Sequence, residues 1–297
     1  PGLKGVGPAA YSKNHGGVYG KYMLDNKTFA GEFNFDRNAV HYYGYNSEDS
    51  ILDKSQIAQR FNIFGLKLNF ATNYLKRDKI DYSAGIDWNS VNDKYEVNES
   101  DVRVHGFVGK DIETFYVRTD LSFDYFKKSR ANYELFSSNT DLSRHIINVV
   151  PMIQLKNEKA RLNLGVDLAL EKNLESEIHL FPKVDFSLPI AENIFYLFAN
   201  VSGGVVKNNF LTMALENPFV NSTVQPMNTI NKIELKGGMN GSFSSRVSFL
   251  AFVKYSSFDR LQLYYNDSIS SNKFNTRYTN GKVLKIHQSF KDDVGKI

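Results

Sequence analysis

From Ile80 to Asn89 the chain alternates, with Ile80, Tyr82, Ala84, Ile86 and Trp88 at one parity and Asp81, Ser83, Gly85, Asp87 and Asn89 at the other. A period of two places the sets on opposite faces of a strand, one greasy and one wet. Leu162, Leu164, Val166, Leu168 and Leu170 alternate in the same way with Arg161, Asn163, Gly165, Asp167, Ala169 and Glu171. So do Ile178, Leu180, Pro182, Val184, Phe186 and Leu188 with their polar neighbours, and shorter copies begin at Phe29, Phe115 and Val247. Pro182 lacks an N–H and predicts an edge position or a bulge. Residues 50–60 are the best helix candidate, yet Ile51, Ile57 and Phe61 make no convincing stripe.

Connections give a second signal. Tight turns are predicted at Asp25-Asn26, Arg77-Asp78, Lys110-Asp111, Asn157-Glu158, Ala191-Glu192, Asn240-Gly241 and Asp292-Asp293, because Asn, Asp and Gly suit the backbone of tight hairpins. Between them lie predicted long connections at 46–56, 89–101, 127–143, 207–228 and 258–280, with a short exception at 173–176. Short turns on the periplasmic side, long loops outside and strands apolar-out and polar-in describe an outer-membrane barrel. A soluble sandwich or a β-solenoid also alternates strands and turns. The short–long rhythm, with charges on the polar faces, favours the barrel.

The expected fold is therefore all-β: one transmembrane antiparallel up-and-down β-barrel domain over residues 1–297, or part of a larger one, with about 13 or 14 strands in this chain and no plug domain. Asp81, Asp87, Arg118, Asp124, Asp167, Lys183, Arg246 and Lys254 are among the residues expected to face the lumen, and Leu164, Val166, Leu168, Val247, Phe249 and Ala251 to face lipid. Tyr42, Tyr43, Tyr45, Trp88, Tyr125, Tyr255, Tyr264 and Tyr265 are expected near strand ends, where interfacial aromatics sit. The chain starts at Pro1 without a Met or signal peptide and is read as a mature or truncated piece, with further strands after Asp292-Asp293.

Composition refines this picture. The 17 Tyr and 23 Phe favour strands over helices. With 36 basic and 32 acidic residues, no strong field recruits nucleic acid. The absence of cysteine excludes disulfides, thiolate catalysis and Cys-ligated metals. No run approaches the roughly 20 apolar residues of a membrane helix.

Candidate chemistry is sparse. His15, His41, His105, His145, His179 and His287 show no metal-helix spacing. Gly16-Gly17 and Gly203-Gly204 lack the context of a phosphate loop and are read as kinks or bulges. Asp36 with Glu32, and Asp120 with Asp124, share strand faces as any barrel lumen provides. Asn46 to Asp49 with Asp53 lack the ligand order of a calcium loop. No catalytic, cofactor or metal residue is assigned, and the reading is a non-enzyme. The Asn-rich, aromatic loops 207–228 and 261–273 are candidate contacts for glycans or a surface lipoprotein.

Residues 11–45, ending Tyr42-Tyr43-Gly44-Tyr45, resemble barrel segments of plugless, TonB-dependent-receptor-like outer-membrane proteins of the Bacteroidota. Residues 260–267 followed by 274–286 look like an excursion returning into a strand of such a barrel. The resemblance implies the outer membrane of a Gram-negative bacterium, outer-membrane lipids as partners, and TonB only if a plug exists. It departs from the family in lacking a plug, a TonB-box-like extension and a terminal aromatic residue. Two functions are expected: solute passage, or a structural barrel that scaffolds an outer-membrane complex with lipoproteins.

Overall fold

The computed structural model describes residues 11–42, 58–72, 79–130, 142–156, 160–173, 175–191, 194–244, 247–266 and 273–292. Thirteen strands follow one another: β1 (Tyr11–Leu24), β2 (Lys27–His41), β3 (Ala58–Thr72), β4 (Ile80–Asp93), β5 (Val97–Ile112), β6 (Phe115–Arg130) and β7 (Leu142–Lys156). The second half comprises β8 (Arg161–Lys172), β9 (Ser176–Ala191), β10 (Phe195–Val206), β11 (Thr229–Ser242), β12 (Val247–Asn266) and β13 (Phe274–Asp292), with one short helix, α1 (Phe210–Glu216), between β10 and β11. Every strand pairs antiparallel with its sequence neighbour, and the sheet order is the chain order. Among the described residues β1 and β13 each have one partner strand, so the sheet is an open arc of barrel wall.

Register sorts the side chains as alternation predicts. Leu68, Ile86, Val104, Phe123, Ile147 and Leu170 lie opposite one another across six strands, whereas Lys67, Asp87, Arg103 and Asp124 form the row beside them. The apolar row stays open to the surroundings: Leu68 is 50% exposed, Ile86 48% and Val104 44%. Among the described residues nothing covers this apolar face, and its extent suits hydrocarbon. The strands, 12 to 20 residues long, meet the roughly 9–11 residues that a tilted crossing needs. No helix among the described residues is long and apolar enough to cross a membrane, which says nothing of a barrel.

The polar face is the inside. Residues 207–228 touch that face on strands as far apart as β3 and β13, which requires the sheet to curl with its polar face inward. The arc has one notch. β9 pairs with β10 only over 184–191, leaving 176–183 with β8 alone, and Pro182 lies in this free-edged part. A bulge between Ser202 and Gly204 marks where β10 departs, as expected for Gly203-Gly204. Val205 then packs with Ala169, Phe181 and Ile230 on the inner side. Gly16 and Gly17, by contrast, sit in an unbroken register with β2 and form no bulge.

Other expectations change. Residues 89–101 are not a long connection: β4 runs to Asp93 and β5 starts at Val97, with Asp93 Oδ1 accepting the N–H groups of Tyr95 and Val97 in a tight turn. Likewise β12 and β13 occupy most of 258–280. The Lys110-Asp111 turn falls three residues later, at Glu113-Thr114, and Asn240-Gly241 lies inside β11. Asp25-Asn26 and the short link at 173–176 are as expected. Residues 46–56, Arg77-Asp78, Asn157-Glu158, Glu192, Asp293, Tyr43, Tyr45, Arg246 and, of the expected connection 127–143, residues 131–141 lie outside the described residues. Residues 58–60 of the helix candidate are strand, and the helix that does form, α1, lies elsewhere.

Candidate functional site inside the barrel

Among the described residues the polar face carries the segment 207–228, expected as an outward loop and found as a strap folded onto the inner wall. Its sequence explains the fold. Asn208 Nδ2 donates to the Met227 carbonyl and to Thr229 Oγ1, both at 2.9 Å, so the first residues of the strap hold its last ones. Asn209 caps α1: its Oδ1 accepts from Thr212 N at 2.8 Å while Thr212 Oγ1 accepts from Asn209 N at 3.0 Å. The remaining donors of the first turn find the wall. Glu99 on β5 accepts from Phe210 N at 2.9 Å and Leu211 N at 3.0 Å. A carboxylate there also favours the positive end of the helix.

Below α1, Phe210, Met213, Val220 and Val224 bury against Phe61, Ile63, Val91 and Val97, a dry patch on an otherwise polar face. Charged groups surround it. Lys207 Nζ lies 2.8 Å from Asp101 and 3.0 Å from Asp124. Burial lowers the Lys207 pKa, and the two carboxylates more than reverse this, leaving it above the ordinary lysine value. Lys128 donates to the carbonyls of Ser222 and Val224, and Ser222 bonds Asp93 beside Gln59. Arg144, 2% exposed, donates to the Asn208 carbonyl at 2.9 Å and lies 4.1 Å from the Phe126 ring centroid. On the far side Asn221 N donates to Phe274 O at 2.7 Å, Met227 N to Tyr278 Oη at 2.8 Å, and Tyr264 Oη to Glu216 at 2.9 Å. The strap thus joins β3–β7 to β12–β13 like a chord across the arc.

A second constellation lies beside the notch. Glu171 on β8 faces Glu177 on β9, like charges directly opposite, which is unfavourable by itself. Arg260 on β12 answers both, with Nη2 2.6 Å from Glu171 Oε2 and Nη1 3.4 Å from Glu177 Oε1. Arg260 sits at a break in register with φ of 55°, a left-handed conformation that costs a non-glycine residue about 1–3 kcal/mol.

The carboxylate pairs named from sequence do not act together. Asp36 bonds His15 at 2.8 Å, Glu32 meets Lys67 at 3.4 Å, Asp120 meets Arg118 at 2.6 Å, and Asp124 holds Lys207. Two aromatics leave their expected place: Tyr42 is 1% exposed beside Phe219, and Tyr264 packs against the patch under the strap. Tyr125 and Tyr265 remain exposed near strand ends. Sequence reasoning missed Glu99, Arg144 and the strap contacts of Lys207, although Asn208-Asn209 followed by Thr212 was a readable capping signal.

No family model matches the chain, and no curated protein matches it. Solved structures do. A structure titled copper transporter OprC aligns at TM-score 0.63 and 10% identity, over 97% of this chain and 51% of that one. The siderophore receptor PirA from Acinetobacter baumannii aligns at 0.65 and 9%, over 96% and 51%. A ferric enterobactin receptor from Pseudomonas aeruginosa, solved with enterobactin, aligns at 0.65 and 10%, over 97% and 50%. The chain spans about half the length of these solved structures. At such identities the likeness is one of fold, and the fold is the one that the resemblance to TonB-dependent receptors implied: this chain has the antiparallel, up-and-down wall of an outer-membrane β-barrel.

Proposed function

We propose that the chain forms part of an outer-membrane barrel domain through which a solute passes, with residues 207–228 narrowing its mouth. The observation that carries this reading is the strap: an apolar and hydrogen-bonded segment docked on the polar face, at the end where the connections are long. Barrel convention puts that end outside the cell and the Asp25-Asn26 turn at the periplasmic rim. The solved structures that share the fold, a copper transporter and siderophore receptors, favour passage over scaffolding. No catalytic role is assigned to any residue. Edge strands in hydrocarbon need partners, so β1 and β13 each require a further pairing strand. TonB is a partner if the whole protein carries a plug. A lipoprotein-scaffolding barrel is the second reading of the sequence, and no described contact favours it.

Planar-bilayer recordings in KCl test the proposal. The protein lacking residues 210–227, bridged by a short Gly-Ser linker, gives larger conductance steps than the unmodified protein. Equal steps contradict a narrowing strap, and bilayers that stay sealed with both proteins overturn passage.

A further inference from the structure

We propose that Glu171, Glu177 and His179 form a binding site for a divalent transition-metal cation, with Arg260 as its built-in competitor. This goes beyond solute passage and does not depend on it.

His179 Nε2 lies 3.4 Å from Glu171 Oε2 and 3.4 Å from Glu177 Oε2. Those distances are too long for good hydrogen bonds. Nε2 is shut off from solvent and has no hydrogen-bond partner. The three atoms lie within 4.8 Å of one another, so small side-chain shifts bring them to the roughly 2.0–2.2 Å from a common centre that zinc requires. One imidazole and two carboxylates suit zinc and its first-row neighbours, whereas calcium prefers oxygen alone.

The surroundings hold the donors in place. Glu171 is 1% exposed, and its Oε1 accepts from Asn173 Nδ2 at 2.7 Å and Asn228 Nδ2 at 2.8 Å, leaving Oε2 turned toward His179. The His179 ring stacks on Phe181 at 5.8 Å. Such outer contacts fix ligand geometry. Two carboxylates face one guanidinium here in a half-enclosed place. Lys232 nearby is already paired with Asp259 at 2.6 Å.

Arg260 and a metal contend for one atom, Glu171 Oε2. A cavity of about 600 Å³ lined by Glu177, His179, Lys232, Asp259 and Arg260 gives the displaced guanidinium room. Metal binding therefore tightens the β8–β9 hairpin while loosening its tie to β12.

The test is Zn²⁺ binding to the detergent-solubilised protein, read by competition with a chromogenic chelator. One saturable site is expected, unaffected by excess Ca²⁺. Glu177→Gln and His179→Gln, which remove direct ligands, each weaken it by at least the roughly 10- to 100-fold that loss of an outer-shell partner costs. Arg260→Gln, which removes the competitor, tightens it by about tenfold, equivalent to about 1.4 kcal/mol. Circular dichroism confirms that each variant keeps its strands; Glu177 is surface-exposed, so its variant folds even if His179→Gln does not. Absence of a saturable site in both the unmodified protein and Arg260→Gln overturns the proposal. So does binding that survives Glu177→Gln and His179→Gln, or that weakens with Arg260→Gln, as a purely structural ion-pair network would.

Discussion

Phe210→Ala releases the strap from the wall. The Phe210 side chain is fully buried, its ring 6.0 Å from that of Phe61, with Lys128 Nζ 4.5 Å from its centroid. Truncating a buried phenylalanine costs about 3–5 kcal/mol, part of it for the cavity left between α1 and β3. Because the strap is a connection, the loss appears locally. Amides of Phe210–Glu216 exchange with solvent faster and protease cuts within 207–228, while strand amides keep their protection. Glu99→Ala reaches the same state by a polar route, leaving the Phe210 and Leu211 N–H groups without their acceptor at about 1–3 kcal/mol each. Unchanged exchange in both variants would mean that the strap is not held by these contacts.

The second large effect concerns the other face. Val166, outward on β8 between Leu164 and Leu168 and opposite Pro182 on β9, is 38% exposed in a row that meets hydrocarbon. Val166→Arg lowers the stability of the bilayer-embedded protein by about 2–4 kcal/mol, the cost of a guanidinium near the midplane. Asp167→Asn, one residue on and facing inward, costs less than this. Denaturant titration of the refolded protein in vesicles gives both values, and equal costs at 166 and 167 contradict the assigned faces.

The wall was legible because alternation is local. Leu164, Val166 and Leu168 report their common face within five residues, and no tertiary knowledge is needed to sort them from Asp167. Turn positions were harder. Asn89 and Asn92 make the stretch before Asp93 resemble a loop, but the inner face of this sheet is mostly polar, so polarity does not end a strand. The strap was hidden for a related reason: its dry patch is assembled from Phe61 and Ile63 on β3, Val91 on β4 and Val97 on β5, far apart in sequence and unremarkable in each strand. Glu171, Glu177 and His179 were visible individually, and only the register of the β8–β9 hairpin brings them together. Arg260, 83 residues beyond Glu177, carried no sequence sign of its partner.

The central claim is that one face of this sheet meets lipid and the other a lumen. The chain has no native cysteine, so a single environment-sensitive fluorophore can be placed at Val166→Cys or Asp167→Cys without background. In bilayers carrying nitroxide-labelled acyl chains, fluorescence at position 166 is strongly quenched and at position 167 only weakly. Equal quenching at the two neighbouring positions, or stronger quenching at 167, would contradict the barrel.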